Sequence, residues 1–179
     1  MPSSEEIIIR NAQPHEYDAL GKLLVRVYSA LDGFPKESEQ PGYYQLLYKI
    51  GEWTKKPGTE LLVAVSPNGE LFGGLVYFGD IKYYGSGGPA TSEKNAAGFS
   101  LLGVDPSARG KGIGKLLTNE CISKAREAKL SQVIIHSTKA MQTAWKMYEA
   151  MGFKRSEDLD FMQGKLPVYG FRLYLSAQN

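Results

Sequence analysis

The chain has 179 residues, 42% hydrophobic and 22% charged, with a formal net charge of +2 and a single cysteine. That length suits one domain, residues 1–179, with a full core, and so small a net charge argues against nucleic acid or an acidic membrane as partner. One cysteine, Cys121, excludes an intrachain disulfide and a thiolate metal cluster, so no metal site is expected. No apolar run reaches the ~20 residues that span a bilayer, and MPSSEEIIIR carries acids where a signal peptide carries bases, so a cytoplasmic protein is expected.

Ile7, Ile8 and Ile9 read as a short first strand. Pro14 suits a first helical position, and Tyr17, Leu20, Leu24, Val27 and Leu31 then recur at helical spacing as far as Asp32-Gly33. Residues 34–42, with Pro35 and Pro41, read as a loop. Tyr43, Leu46, Leu47, Ile50 and Trp53 predict a second helix, closed by Lys56-Pro57-Gly58. Residues 61–65 and 71–78 are strands joined by Pro67-Asn68-Gly69-Glu70, since Asn-Gly tolerates the positive φ angles of a tight turn. Residues 80–94 form a loop with Tyr83, Tyr84, Gly85, Gly87 and Gly88; an exposed hairpin tip and a site-lining segment are both open readings.

The stretch AAGFSLLGVDPSARGKGIGKLL, residues 96–117, organises the rest. Its apolar strand, residues 99–104, breaks into a turn and a basic, glycine-rich loop that opens directly into a helix. Ile113, Leu116, Leu117, Cys121, Ala125 and Ala128 form the apolar stripe of that helix, with Cys121 a core residue. Free backbone N–H groups and the positive dipole end of a helix start make a site for phosphate. Residues 133–135 are a further strand, so strand, helix and strand imply a parallel crossover. Residues 142–151 form another helix, with Ala144, Met147, Tyr148 and Met151 on one face and Gly152 as its C-terminal stop. Phe153-Lys154-Arg155 starts a strand, and residues 168–175 alternate as a last one.

Three phosphate motifs compete for ARGKGIGKLL. A nucleotide P-loop fails twice, with Arg109 in place of its first glycine and Leu116 in place of its hydroxyl residue. A dinucleotide fingerprint fails at Lys115, where its third glycine belongs. The order Val104-Asp105-Pro106, Arg109, Gly112, Gly114, Leu116-Leu117 resembles the acetyl-coenzyme A loop of the GCN5-related N-acetyltransferase (GNAT) superfamily. That pattern is Arg or Gln, two residues, Gly, one residue, Gly or Ala, and Arg109 to Gly114 satisfies it. The segment from Trp145 to Phe153 resembles the family's later helix and its Tyr…Gly-Phe ending.

The resemblance implies a single-domain α/β fold: a mixed sheet of about six to seven strands flanked by about four helices, with a strand-loop-helix acyl-CoA site. It implies acetyl-CoA as cosubstrate and acetyl transfer to a primary amine of a small molecule or peptide. The backbone of Leu102, Gly103 and Val104 would grip the pantetheine arm as an added strand would. Arg109, Gly110, Lys111, Gly112, Ile113 and Gly114 would hold the pyrophosphate. The Val104 amide would polarise the thioester carbonyl, and Tyr148 would be the general acid. Where many relatives place an asparagine, seven residues before the tyrosine, this chain has Met141, and Gln142 is the candidate substitute. Many relatives also carry a glutamate on the strand before the loop; residues 97–102 hold no carboxylate. His136, water or loop residues are then the candidate bases, and a non-catalytic acyl-CoA binding module is the alternative function. Acceptor specificity falls to residues 31–53, 80–94 and 159–167, where Phe34, Tyr43, Tyr44, Tyr83 and Tyr84 suit an apolar acceptor and Glu37, Glu39 and Asp80 leave a polycation open. A homodimer is compatible with these features.

Overall fold

In the computed structural model, residues 6–85 and 88–175 are described; the acidic N-terminal residues up to Glu5 and the loop glycine Gly87 lie outside them. The segment LLVAV of β2 (Thr59–Val65) shows how the core is built. Leu61, Val63 and Val65 pack in one apolar layer, and Leu62 and Ala64 in the other. A strand buried on both faces has no polar side to alternate with, which is why it reads as a continuous apolar run.

Its neighbours are β1 (Ile8–Asn11) and β3 (Leu71–Phe78), followed by β4 (Ala96–Val104), β5 (Gln132–Ser137), β8 (Leu166–Tyr174) and the two-residue β6 (Lys154–Arg155). A short β7 (Phe161–Gln163) pairs with β8 as a hairpin. Every pairing is antiparallel except that of β4 with β5. One face carries α1 (Tyr17–Ser29) and α2 (Pro41–Tyr48), the other α3 (Ile113–Glu127) and α4 (Gln142–Ala150). Among the described residues no helix is long and apolar enough to cross a membrane.

Several boundaries differ from the sequence reading. Pro41 and Gly42 belong to α2, with proline in the first turn where its missing N–H costs nothing. The second helical segment is two pieces, because Lys49 leaves helical geometry (φ −100°, ψ 35°) and residues 50–55 continue as a 3₁₀ turn. Leu116 is 40% exposed, at the edge of the stripe rather than on it. The described residues of the loop after β3 are anchored in part: Ile81, Tyr84 and Ala90 are buried, and two 3₁₀ turns, Ile81–Tyr83 and Gly88–Ser92, run through them.

Two irregularities in β4 prepare the site. Gly74 pairs with Gly103 but Val76 with Ser100, so Leu101 and Leu102 together oppose Leu75 in a bulge. Leu101 sits there at φ 59°, a left-handed conformation that leucine adopts only when its surroundings impose it. Pairing of β4 with β5 runs only through Ala96–Gln132, Ala97–Val133 and Gly98–Ile134. Beyond Gly98 the strands part.

Gly98 allows the two strands to approach at that last pair. A Cβ there would lie 2.8 Å from Ile81 Cδ1 and 2.9 Å from the Ile134 carbonyl oxygen. Gly98→Val is expected to lower stability by about 2 kcal/mol, within the range for overpacked cores. Denaturant melts of the two proteins test this; coincident curves would contradict the close packing.

Candidate active site

The parting of β4 and β5 opens a cavity of about 940 Å³ that reaches from the start of α3 to the α1–α2 face. On the β4 wall, Asp105 N–H donates to Phe72 O at 2.7 Å, toward β3. Strand alternation turns the Val104 N–H the other way, to the side that β5 has left. Leu102, Gly103 and Val104 all line the cavity. The Leu102 carbonyl also accepts from the Tyr28 hydroxyl at 2.8 Å, which fixes the bulge against α1.

At the other end, Gly110 (φ 86°) and Gly112 (φ 74°) turn the chain into α3, with Gly112 as the N-cap residue. The N–H of Leu116 is the one that reaches back to Gly112 O, at 3.0 Å. The N–H groups of Ile113, Gly114 and Lys115 precede it and have no acceptor within the helix. Arg109, Gly110, Gly112, Ile113, Gly114 and Lys115 line this end of the cavity. Lys111 does not. Its ammonium lies over the Phe72 ring, 5.1 Å from the centroid, and Lys115 takes the place at the cavity wall.

Tyr148 projects from α4 between Phe99 (ring centroids 5.9 Å apart) and Phe153 (5.7 Å) and is 5% exposed. It lines the cavity, and its hydroxyl has no hydrogen-bond partner among the described residues. Burial, aided by the nearby Tyr28 and Tyr84 phenols, holds its proton well above the usual phenol range. Gln142 lines the cavity too, but its amide donates to Lys139 O at 2.9 Å, inside its own turn.

His136 is engaged at both ring nitrogens. Nε2 lies 2.8 Å from Leu159 O, which can only accept, so Nε2 carries the hydrogen; Nδ1, 2.8 Å from the Tyr84 hydroxyl, then accepts. Burial lowers the imidazole's pKa, against the opposing pull of Leu159 O and Asp160. A neutral ring with no free lone pair is a poor base, and His136 instead pins the loop after β3.

The remaining walls are aromatic. Tyr28, Phe34 and Tyr43 contact one another at 5.3–6.0 Å and line the cavity with Trp53 and Phe161. Of the aromatics expected there, Tyr44 is fully buried and donates to Pro35 O, while Tyr83 and Tyr84 stand outside the cavity wall. Tyr28, Trp53 and Phe161 read as ordinary helix or strand residues, with no local signal to set them apart. Among the described residues the charged side chains on the cavity wall are Arg109 and Lys115, and no carboxylate lines it.

The family profile described as Acetyltransferase (GNAT) family matches residues 24–153. The chain belongs to the GNAT acetyltransferase family. Its sequence is 33% identical over 91 residues to a mycothiol acetyltransferase of Streptosporangium roseum, covering 51% of this chain and 26% of that protein. To the mycothiol acetyltransferase of Acidothermus cellulolyticus it is 32% identical over 103 residues, covering 53% and 32%. The chain spans about a third or less of the length of the curated relatives it matches. A GNAT-family acetyltransferase structure from Staphylococcus aureus superimposes with a TM-score of 0.74 at 16% identity, covering 96% of this chain and 100% of that one. The PaiA N-acetyltransferase of Thermoplasma acidophilum, solved with coenzyme A, gives 0.69 at 15% identity, covering 92% and 98%. These likenesses establish the GNAT fold for this sheet and its helices.

A histidine whose folded pKa is depressed binds fewer protons in the native than in the unfolded chain at mildly acid pH. Stability contributed by neutral His136 is therefore full above about pH 6.5 and declines below it, by at most ~1.4 kcal/mol per pH unit. The His136 ring protons, followed by NMR, are expected to titrate below about pH 6.5. A midpoint at or above that value would contradict the buried, doubly bonded ring.

Proposed function

We propose that this GNAT-family protein transfers an acetyl group from acetyl-CoA to a primary amine of a small molecule with an apolar body. One observation carries the reading: a single cavity joins the open N–H groups at the start of α3, the unpaired edge of β4 and the hydroxyl of Tyr148. Residues present suit such a donor. The pyrophosphate takes the α3 N–H groups with Arg109 and Lys115, where helix dipole and side chains supply positive charge. The pantetheine arm adds to the β4 edge at Leu102 to Val104 as an extra strand. Bound acetyl-CoA supplies an acyl thioester whose carbonyl carbon the amine attacks.

As charge develops on the carbonyl oxygen, the Val104 N–H donates to it. Tyr148 then gives its proton to the departing sulfur. The raised pKa keeps that proton in place across neutral pH, so its transfer to sulfur is driven by the amine's surplus proton, which replaces it as the C–S bond breaks. With His136 bonded at both nitrogens and no carboxylate on the described walls, the amine enters as the free base and releases its proton to water or to the tyrosinate. Aromatic walls at Tyr28, Phe34, Tyr43 and Trp53 favour an apolar or ring-bearing acceptor over a polycation. The relatives named mycothiol acetyltransferases support a small molecule rather than a protein as acceptor.

The absence of a wall carboxylate among the described residues favours one other reading, a non-catalytic acyl-CoA binding module. A panel of amines with acetyl-CoA, scored by release of free thiol, separates the two. Turnover on an apolar amine is expected; binding of the donor with no thiol release on any amine would favour the module. In the same assay Tyr148→Phe is expected to lower kcat about tenfold or more while leaving acetyl-CoA affinity near wild type. An unchanged kcat across the pH range would make Tyr148 a core residue only.

A further inference from the structure

Two side chains on the cavity wall take no part in the step above. Ser137 ends β5 and Thr138 follows it; they are 2% and 3% exposed. Neither hydroxyl oxygen, Ser137 Oγ nor Thr138 Oγ1, finds a hydrogen-bond partner among the described residues. Both residues line the cavity. Native proteins seldom leave a buried hydroxyl unpaired, because it has lost water and gained nothing in return. Alanine and valine would fill the same space without that loss. The hydroxyls are therefore placed for something that enters the cavity.

Strand alternation says which part of the cavity Ser137 faces. Val133 and Ile135 pack in the α3–α4 layer with Phe99 and Tyr148, whereas Ile134 packs in the opposite layer and His136 turns to Tyr84 and Phe161. Ser137 falls on the face of Val133 and Ile135, the face from which α4 brings Tyr148. Counting on from the last pair, Gly98 with Ile134, places Ser137 level with the β4 bulge at Leu101, across the gap. The unpartnered Ser137 hydroxyl thus falls on the side of the sheet from which Tyr148 enters the cavity, and Thr138 lines the same cavity.

We propose that the hydroxyls of Ser137 and Thr138 bind the sulfur end of the acyl thioester and of the coenzyme A product. This rests on the acetyl-CoA reading above and adds a role that the reading lacks. When the amine nitrogen has bonded to the carbonyl carbon, the C–S bond breaks and its electron pair goes to sulfur. Tyr148 transfers its proton to that sulfur. Ser137 donates a hydrogen bond to it and keeps its own proton, while Thr138 holds the neighbouring part of the same polar pocket. The amine's surplus proton restores Tyr148 directly or through water, so the cycle balances as amine plus acyl thioester giving amide plus thiol.

Ser137→Ala and Thr138→Val, with Thr138→Ser as the hydroxyl-retaining control, test this against wild type in three readouts. Removing a hydrogen bond that strengthens as charge builds on sulfur is expected to lower kcat about tenfold in Ser137→Ala, with the KM for acetyl-CoA within about threefold of wild type. The ultraviolet absorbance of the thiolate of protein-bound coenzyme A is expected to titrate about one pH unit higher in that variant. Melting temperatures of the unliganded variants are expected to equal or exceed wild type, since an unpaired buried hydroxyl is removed. Thr138→Val is expected to lower kcat and Thr138→Ser to restore it. Wild-type kcat and an unmoved thiol titration in both hydroxyl-deleted variants would overturn the inference and leave the proposed function standing. A wild-type protein that binds coenzyme A but acetylates no amine would overturn the proposed function, and the thiol titration would still decide the inference. A wild-type protein that does not bind coenzyme A would overturn both.

Discussion

Parallel pairing of β4 with β5 extends over three residues and then stops, and the positions of the groups around the cavity follow from where it stops. Up to Gly98 and Ile134 the strands satisfy each other's backbone and bury apolar side chains on both faces. Beyond that pair each strand has one edge without a neighbour. An unpaired strand edge inside a domain must find other acceptors and donors, so it either takes in water or receives a ligand. Here the edge is short, is walled by helices on both sides and ends at a helix N-terminus, which makes it a slot for an extended, anion-tipped molecule.

The two apolar layers contribute differently to that slot. The α3–α4 layer brings Tyr148, held between Phe99 and Phe153, and turns Ser137 to the same side. The α1–α2 layer brings the aromatic cluster of Tyr28, Phe34 and Tyr43, and Tyr28 reaches across to bond the Leu102 carbonyl at the bulge. Under the proposed function, chemistry and acceptor shape are drawn from opposite faces of one sheet, and the split between β4 and β5 is the gap through which they meet. Burial serves both sides: it keeps the Tyr148 phenol protonated and keeps the His136 imidazole neutral.

Local signals made the fold and one end of the candidate site legible in the sequence. Gly110 and Gly112 occupy a turn with positive φ angles, and the Tyr148 helix ends at a positive-φ glycine, Gly152, so conformational need and sequence pattern coincide there. Contacts between distant segments left no such mark. Lys111 and Lys115 look equivalent in sequence, and only the position of the Phe72 ring separates them. The short β7 hairpin is tied to a distant segment through Gln163 and Gln40, a contact with no local signal. His136 at a strand end suggests a base, but its two partners, 52 and 23 residues away, occupy both ring nitrogens and fix its tautomer, while burial lowers its pKa. Ser137 and Thr138 are ordinary residues in any sequence window; only burial without a partner singles them out.

The proposed function depends on the ligand-facing character of two sets of backbone N–H groups, that of Val104 and those of Ile113, Gly114 and Lys115. Residue-resolved amide hydrogen exchange, with and without acetyl-CoA, reads them directly. These four amides are expected to exchange freely in the unliganded protein and to become protected together when acetyl-CoA is added, while amides of the β1–β2 ladder change little. Protection elsewhere with Val104 and the start of α3 unaltered would contradict it.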